Sequence, residues 1–236
     1  MEKRGDWPRL QHLTEEIEMR VMLVAFDMDG VLTLERSSWE FVHRYLGVDN
    51  SDNLELYRKS EISYREFLAR DVRRWLEVRP DMTTKDLDKI LSGITAVKNL
   101  KSSVRALKDA GITCAIISGG LKPLARRIGT ESGIGIVMAN DIVPSEDGRL
   151  TENGIIMVDP KSKDVVLRDI QKNTGIKPDS TVSVGDSPED ARMFSLSASS
   201  IFIADGRKSS GILATSVLPP GDLKPVADTI LEWNSQ

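Results

Sequence analysis

The chain has 236 residues, 40% of them hydrophobic and 29% charged, and 36 Asp and Glu against 32 Lys and Arg leave a formal net charge of −4. This length holds one large domain or one domain with a smaller insertion, and the balance is that of a globular protein, which excludes collagen, coiled coil and wholesale disorder. One cysteine, Cys114, and two histidines, His12 and His43, exclude an intrachain disulfide and a Cys- or His-rich metal site, so carboxylates, lysines and hydroxyls must run any chemistry. No apolar run reaches the ~18–20 residues of a membrane span, residues 1–20 lack the apolar segment of a signal peptide, and no basic cluster with interleaved aromatics stands out. The expectation is a cytoplasmic protein, monomer or homodimer, that takes a small molecule and binds neither nucleic acid nor membrane.

In chain order, residues 1–19 are read as an N-terminal arm, helical or frayed. Residues 21–26 open a series of short runs rich in β-branched side chains, continued at 112–117, 135–139, 181–184 and 200–203. Their near-continuous apolar character points to strands covered on both faces, as in a parallel sheet. Between the first two runs, residues 38–46, 64–78 and 84–92 have helical patterns. A crossover needs only one helix, so residues 35–95 are read as an inserted helical domain, with 20–34 and 96–236 as the core. Residues 98–110 place Leu100, Val104 and Leu107 on one helical face and end at Gly111. Residues 140–159 contain IVPSEDGRLT, whose Asp-Gly turn between β-like runs predicts an antiparallel hairpin. Residues 163–174 form a helix with Ser162 as N-cap and Gly175 after its end. The alternation gives the fold class: α/β, a doubly wound, Rossmann-like parallel sheet with a helical insertion.

Four constellations sit at strand ends or helix starts. In VMLVAFDMDGVLT, Asp27 and Asp29 follow a strand and precede Gly30. Ligands gather at the carboxyl ends of strands in open α/β sheets, and two acids this close repel unless a cation or proton lies between them; as a bare motif, a pair of turn acids is an equally weighted reading. In VSVGDSPED, Asp186 and Asp190 follow another strand, and an all-oxygen set suits Mg²⁺. Ser187-Pro188 also reads as a helix start with Glu189 and Asp190 in its first turn. In CAIISGG, Ser118 and the two glycines after it offer a hydroxyl and N–H groups to a phosphate oxygen. Lys163 opens a helix, where a positive charge is locally unfavourable, and Lys161 is the competing lysine.

Taken together and in this order, the segments resemble the haloacid dehalogenase superfamily: FDMDGVLT is similar to its first motif, IISGG to its second, Lys163 to its third and GDSPED to its fourth. The insertion directly after the first motif, a helical cap in that family, and the Ser-Gly-Gly form of the second resemble the phosphoserine phosphatase branch, over about residues 20–205. The resemblance implies Asp27 as nucleophile and Asp29 as acid and base. It implies Mg²⁺ as cofactor, held by the Asp27 carboxylate, the Asp29 main-chain carbonyl and Asp186. Ser118, Gly119 and Lys163 would then bind the phosphoryl group, and Asp190 would act through water or by steadying Lys163. An acid at position 29 disfavours dehalogenation, which needs no proton for its leaving group. The implied activity is hydrolysis of a small phosphomonoester through an aspartyl-phosphate; a sugar phosphomutase is the alternative, and a non-catalytic binder is disfavoured because all four motif residues are present.

Substrate selection departs from the branch. Where its members carry a cap glutamate for a substrate ammonium, this chain has Arg36, with Glu35 beside it; where they carry an arginine for the carboxylate, it has Asp71, with Arg70 adjacent. Glu189 replaces the branch's usual asparagine. Two readings stand side by side: exchanged charges, with Arg36 and Asp71 facing each other or the substrate, or a one-residue slip that restores Glu35 and Arg70. Under the first, L-phosphoserine is a doubtful substrate. Asp71 falls on the apolar face of Tyr64, Phe67, Leu68 and Trp75, where an acid requires a partner. His43, Trp39 and Trp75 read as cap core, Cys114 as a buried small hydrophobe, and Arg70, Arg73 and Arg74 as a solvated helix face.

Overall fold

The computed structural model describes residues 20–204 and 212–235; the arm expected over 1–19 lies outside them. The central strand is β1 (Leu23–Phe26), whose four residues are all buried. Leu23 and Ala25 point into one apolar layer and Val24 and Phe26 into the other, because successive side chains of a strand face opposite ways. This is why the run reads as continuously apolar. Around β1 the described residues form one seven-stranded sheet. Its other strands are β2 (Thr113–Leu121), β3 (Ile136–Pro144), β4 (Leu150–Ile155), β5 (Thr181–Gly185), β6 (Ser199–Ile203) and β7 (Ser216–Leu218). The order is β4-β3-β2-β1-β5-β6-β7, parallel except at β3–β4, the expected hairpin, whose tip Gly148 has φ +82°.

Helices α5 (Leu100–Asp109), α6 (Lys122–Ser132) and α9 (Lys224–Trp233) cover one face through Val104, Leu107, Ile128 and Ile230. On the other, α7 (Lys163–Thr174) and the single-turn α8 (Ala191–Phe194) contribute Leu167, Ile170 and Met193. The segment 35–95 holds α1 (Ser38–Leu46), α2 (Ser51–Arg58), α3 (Tyr64–Val78) and α4 (Thr84–Leu91). Helices α1, α3 and α4 begin with side-chain caps from Ser37, Ser63 and Thr83, the local signal that makes such starts readable.

Several elements escape the sequence patterns. Helix α2 is short and polar, its Asn50 start makes no side-chain cap bond, and it is held by burial of Asn53 and Tyr57. Helix α6 follows β2 without a loop. Strand β2 also runs on through Ser118, Gly119 and Gly120 to Leu121, past the expected end at 117, because two glycines carry no apolar signal. The β3–β4 hairpin is stapled to α3. Arg73 donates two hydrogen bonds to Glu152, at 3.1 and 2.6 Å, Arg65 donates to the Gly154 carbonyl at 2.9 Å, and Gly154 lies so close to Leu68 that a side chain would collide. Among the described residues, no helix is long and apolar enough to cross a membrane.

Candidate active site

Strand β1 lies between β2 and β5, with Phe26 level with Ile116 on one side and Val184 on the other. The residues that follow these positions therefore emerge at one end of the sheet. That register alone gathers Asp27, Ser118 and Asp186 from three distant parts of the chain.

Lys163, the first residue of α7, is 3% exposed and lies between two acids: its Nζ is 3.0 Å from Asp27 Oδ2 and 2.6 Å from Asp190 Oδ1. The other oxygen of Asp190 accepts the N–H groups of Asp186 and Ser187 at 3.1 and 3.0 Å and the Ser187 hydroxyl at 2.8 Å. Asp190 is thus fully occupied in positioning Lys163 and the turn that carries Asp186. The expected helix start at Ser187-Pro188 is a 3₁₀ turn, Pro188–Asp190, leading into α8. Lys161 goes elsewhere, donating to the Tyr57 carbonyl at 2.7 Å and to Ser60 Oγ at 2.9 Å.

Asp27, Asp186 and Asp190 each offer an oxygen within 4.8 Å of the other two. Gly30, with φ +75°, passes so close to the Asp186 carboxylate that a Cβ there would overlap it; only glycine fits the turn and lets the acid approach. Burial, with Asp190 and Asp186 nearby, raises the Asp27 pKa against the pull of Lys163. Asp186 is pushed up to about 6, by burial first and then by Asp190, with Arg36 opposing. Burial depresses a lysine, but Asp190 and Asp27 outweigh it and hold Lys163 above the usual lysine range. Two buried carboxylates and a half-buried one beside a single ammonium are short of positive charge, and such an all-oxygen set suits a divalent cation. With both Asp190 oxygens taken, Asp27 and Asp186 are the side chains with capacity left for one.

The Asp29 side chain is outside that trio. Its Oδ2 accepts the Ser38 N–H at 2.9 Å and the Ser38 hydroxyl at 2.8 Å, while Oδ1 is buried without a partner. The Ser38 N–H is one of the unpaired donors at the start of α1, a favourable place for a carboxylate. Burial still pushes Asp29 up to about 6, the Ser38 bonds restraining the rise. Ser38 Oγ also accepts the Leu121 N–H at 3.0 Å, tying the start of α1 to the end of β2. Ser118, 1% exposed, accepts the Gly120 N–H at 3.1 Å.

Three of the candidate substrate-selecting residues, Glu35, Arg70 and Asp71, are engaged within the insertion. Asp71 is fully buried inside the helical segment, where it accepts from Asn53 Nδ2 at 2.6 Å, contacts His43 Nε2 at 3.1 Å and lies 3.4 Å from Asn50 Nδ2. The Trp75 indole, which can only donate, gives its N–H to His43 Nδ1 at 2.9 Å, so the histidine proton sits on Nε2 and points at Asp71. The apolar stripe around Asp71 makes this pairing necessary, and Asp71 does not face Arg36. Glu35 and Arg70, the residues of the slipped reading, pair within the insertion, Glu35 with Arg44 at 2.7 Å and Arg70 with Glu66 at 2.6 Å. Glu189 is exposed. Arg36 alone reaches the acids, its Nε 3.5 Å from Asp186 Oδ2, beside a cavity of about 340 Å³ bounded by Gly30, Thr33, Arg36 and Asp186.

Sequence reasoning overlooked Ser38 and Asn140 and gave Tyr64 and Trp39 only packing roles. For Ser38 a signal existed in the Ser37-Ser38 pair opening a helix soon after an Asp-Gly turn; for Asn140 there was none.

The family description of haloacid dehalogenase-like hydrolases matches residues 21–196. A phosphoserine phosphatase of Archaeoglobus fulgidus is 31% identical over 72% of this chain and 49% of its own length, so the chain spans about half of that relative. A phosphoserine phosphatase of Idiomarina loihiensis is 32% identical over 79% of this chain and 82% of its own. A substrate-bound phosphoserine phosphatase structure has a TM-score of 0.71 at 21% identity, covering 89% of this chain and 98% of that one, which is a likeness of fold. The acids gathered at the end of a parallel sheet and the matched segment agree: the chain belongs to the haloacid dehalogenase-like hydrolases, on their phosphoserine phosphatase-like branch.

Proposed function

We propose that this hydrolase is a Mg²⁺-dependent phosphomonoesterase acting on a small metabolite through an aspartyl-phosphate. The observation that carries the reading is the buried cluster in which Lys163 is held between Asp27 and Asp190, with Asp186 pressed against Gly30. Asp27 attacks phosphorus: an Oδ–P bond forms, the ester P–O bond breaks, and Asp29 gives the leaving alcohol its proton. Asp29 then takes a proton from water as the water oxygen bonds to phosphorus, the Asp27–P bond breaks, and inorganic phosphate leaves. An acid pushed up to about 6 suits both duties near neutral pH. Lys163, Ser118 and the Gly119 N–H stabilise the charge of the transferring oxygens. Asp27, Asp186 and the Asp29 carbonyl are the groups to hold Mg²⁺, which when bound neutralises charge between nucleophile and phosphate.

Arg36 defines the substrate class. A guanidinium at the edge of the site, where the branch has an acid, favours an ester with a second anionic group and disfavours the ammonium of phosphoserine. The setting for such a substrate is the cytoplasm, and the working unit is a monomer or homodimer. A phosphate-release screen over small phosphate esters, with Mg²⁺ and with chelator, tests the reading. Chelator-sensitive release is expected, strongest for esters with an additional carboxylate. Release that ignores the chelator, or none from any ester, would overturn it.

Metal binding should also depend on pH. The folded-state pKa of Asp186 lies above its ordinary value, so the stability it contributes without metal is complete below about pH 4 and lost as pH rises through about 6. A divalent ion takes the ionised carboxylates and competes with their protons. The rise in Tm on adding Mg²⁺ is expected to be larger at pH 8 than at pH 5, and equal shifts at both would contradict a carboxylate-held ion.

A further inference from the structure

The Gly119 carbonyl accepts three side-chain hydrogen bonds beside the site. It receives the Trp39 indole N–H at 3.1 Å, the Tyr64 hydroxyl at 2.7 Å and Asn140 Nδ2 at 3.0 Å. Trp39 belongs to α1 and Tyr64 to α3, both in the inserted segment, whereas Asn140 belongs to β3 of the sheet. All three side chains are buried, and Asn140 is itself fixed, accepting the Met157 and Val158 N–H groups at 2.8 and 2.9 Å and donating to the Val158 carbonyl at 2.8 Å.

Sterics explain why such restraint is required. A Cβ on Gly119 would strike Pro160, and one on Gly120 would strike Asp29, Ser38 and Met28. No other residue fits at either position, yet two successive glycines form the most permissive backbone available. The same segment contains the Ser118 hydroxyl and the Gly119 N–H proposed to bind the phosphoryl oxygens. Its stiffness has to come from outside, and two of the three donors that supply it come from the insertion.

We propose that Trp39 and Tyr64 are positioning residues that couple the seating of the inserted helices to the alignment of the Ser118-Gly119-Gly120 segment. This rests on the phosphatase reading of the same site. With the insertion seated, three donors fix the Gly119 carbonyl and with it the direction of the phosphoryl-binding groups. With it displaced, only Asn140 remains and the glycine pair is free to turn.

A carbonyl oxygen has two lone pairs, so one of three donors is partly redundant. Tyr64→Phe and Trp39→Phe are each expected to lower kcat about threefold, and the double variant at least about thirtyfold, more than the product of the singles. KM is expected to stay within about twofold, because the loss falls on the transition state. Independently of turnover, backbone hydrogen exchange is expected to quicken in residues 117–121 of the folded double variant and to stay unchanged in β5 and β6. A double variant with wild-type kcat, or with losses that merely multiply and unchanged exchange at 117–121, would overturn the proposal. A wild-type enzyme inactive on every ester would sink the phosphatase reading instead, and the exchange measurement would still decide the coupling.

Discussion

Asp27→Asn is expected to reduce turnover of an aryl phosphate at least about 10³-fold, with the fold unharmed. The amide keeps the shape of the carboxylate and can still accept from Lys163, which also keeps its 2.6 Å contact with Asp190. Burial already raises the pKa of Asp27, so a neutral side chain removes an unfavourable buried charge. The Tm of the variant is therefore expected to match or exceed that of the wild type at pH 8 without metal. The two readouts move in opposite directions, which separates loss of a nucleophile from loss of structure. A variant that turns over at more than about a tenth of the wild-type rate would refute the nucleophile assignment.

The largest effect on stability is expected at Asp71. Asp71→Arg places a cation among His43, Asn50 and Asn53 in a site with no exposure. It also removes the acceptor that those donors share, so the expected cost is at least about 3–5 kcal/mol. Asp71→Asn retains one acceptor oxygen and is expected to cost about 1–3 kcal/mol. Arg36→Glu, on a side chain that is 66% exposed, is expected to shift stability by no more than about 0.5 kcal/mol while moving selectivity towards amino-bearing esters. Thermal melts of the three variants, with relative kcat/KM on paired esters, check this division. An Asp71→Arg protein with wild-type Tm would show that Asp71 is not sealed in the helical core.

The contrast between these two acids explains what could be read from the chain. Asp27 follows a run of buried apolar residues and precedes a glycine with positive φ, so its place at a strand end is written locally. Lys163 and Asp190 also announce themselves, one as a misplaced charge at a helix start and the other through its Ser-Pro turn. Asp71 is different. Helical periodicity places it on the apolar face of α3, but whether that face looks into the substrate cleft or into neighbouring helices depends on α2, a helix with no pattern of its own. Once α2 brings Asn53 to Asp71, the acid is satisfied internally. The same limit hid Asn140, whose partners come from the segment after β4, from β2 and from α3. Local chemistry was legible; pairing between elements with weak periodicity was not.

The staple between α3 and the β3–β4 hairpin has a mechanical consequence. The hairpin is the continuation of β3, and β3 pairs with β2, the strand that carries Ser118. Any swing of α3 that keeps the Arg73–Glu152 and Arg65–Gly154 links pulls on the sheet's own edge. Weakening those surface links by charge reversal should thus loosen a lever whose short arm ends beside the reacting phosphate.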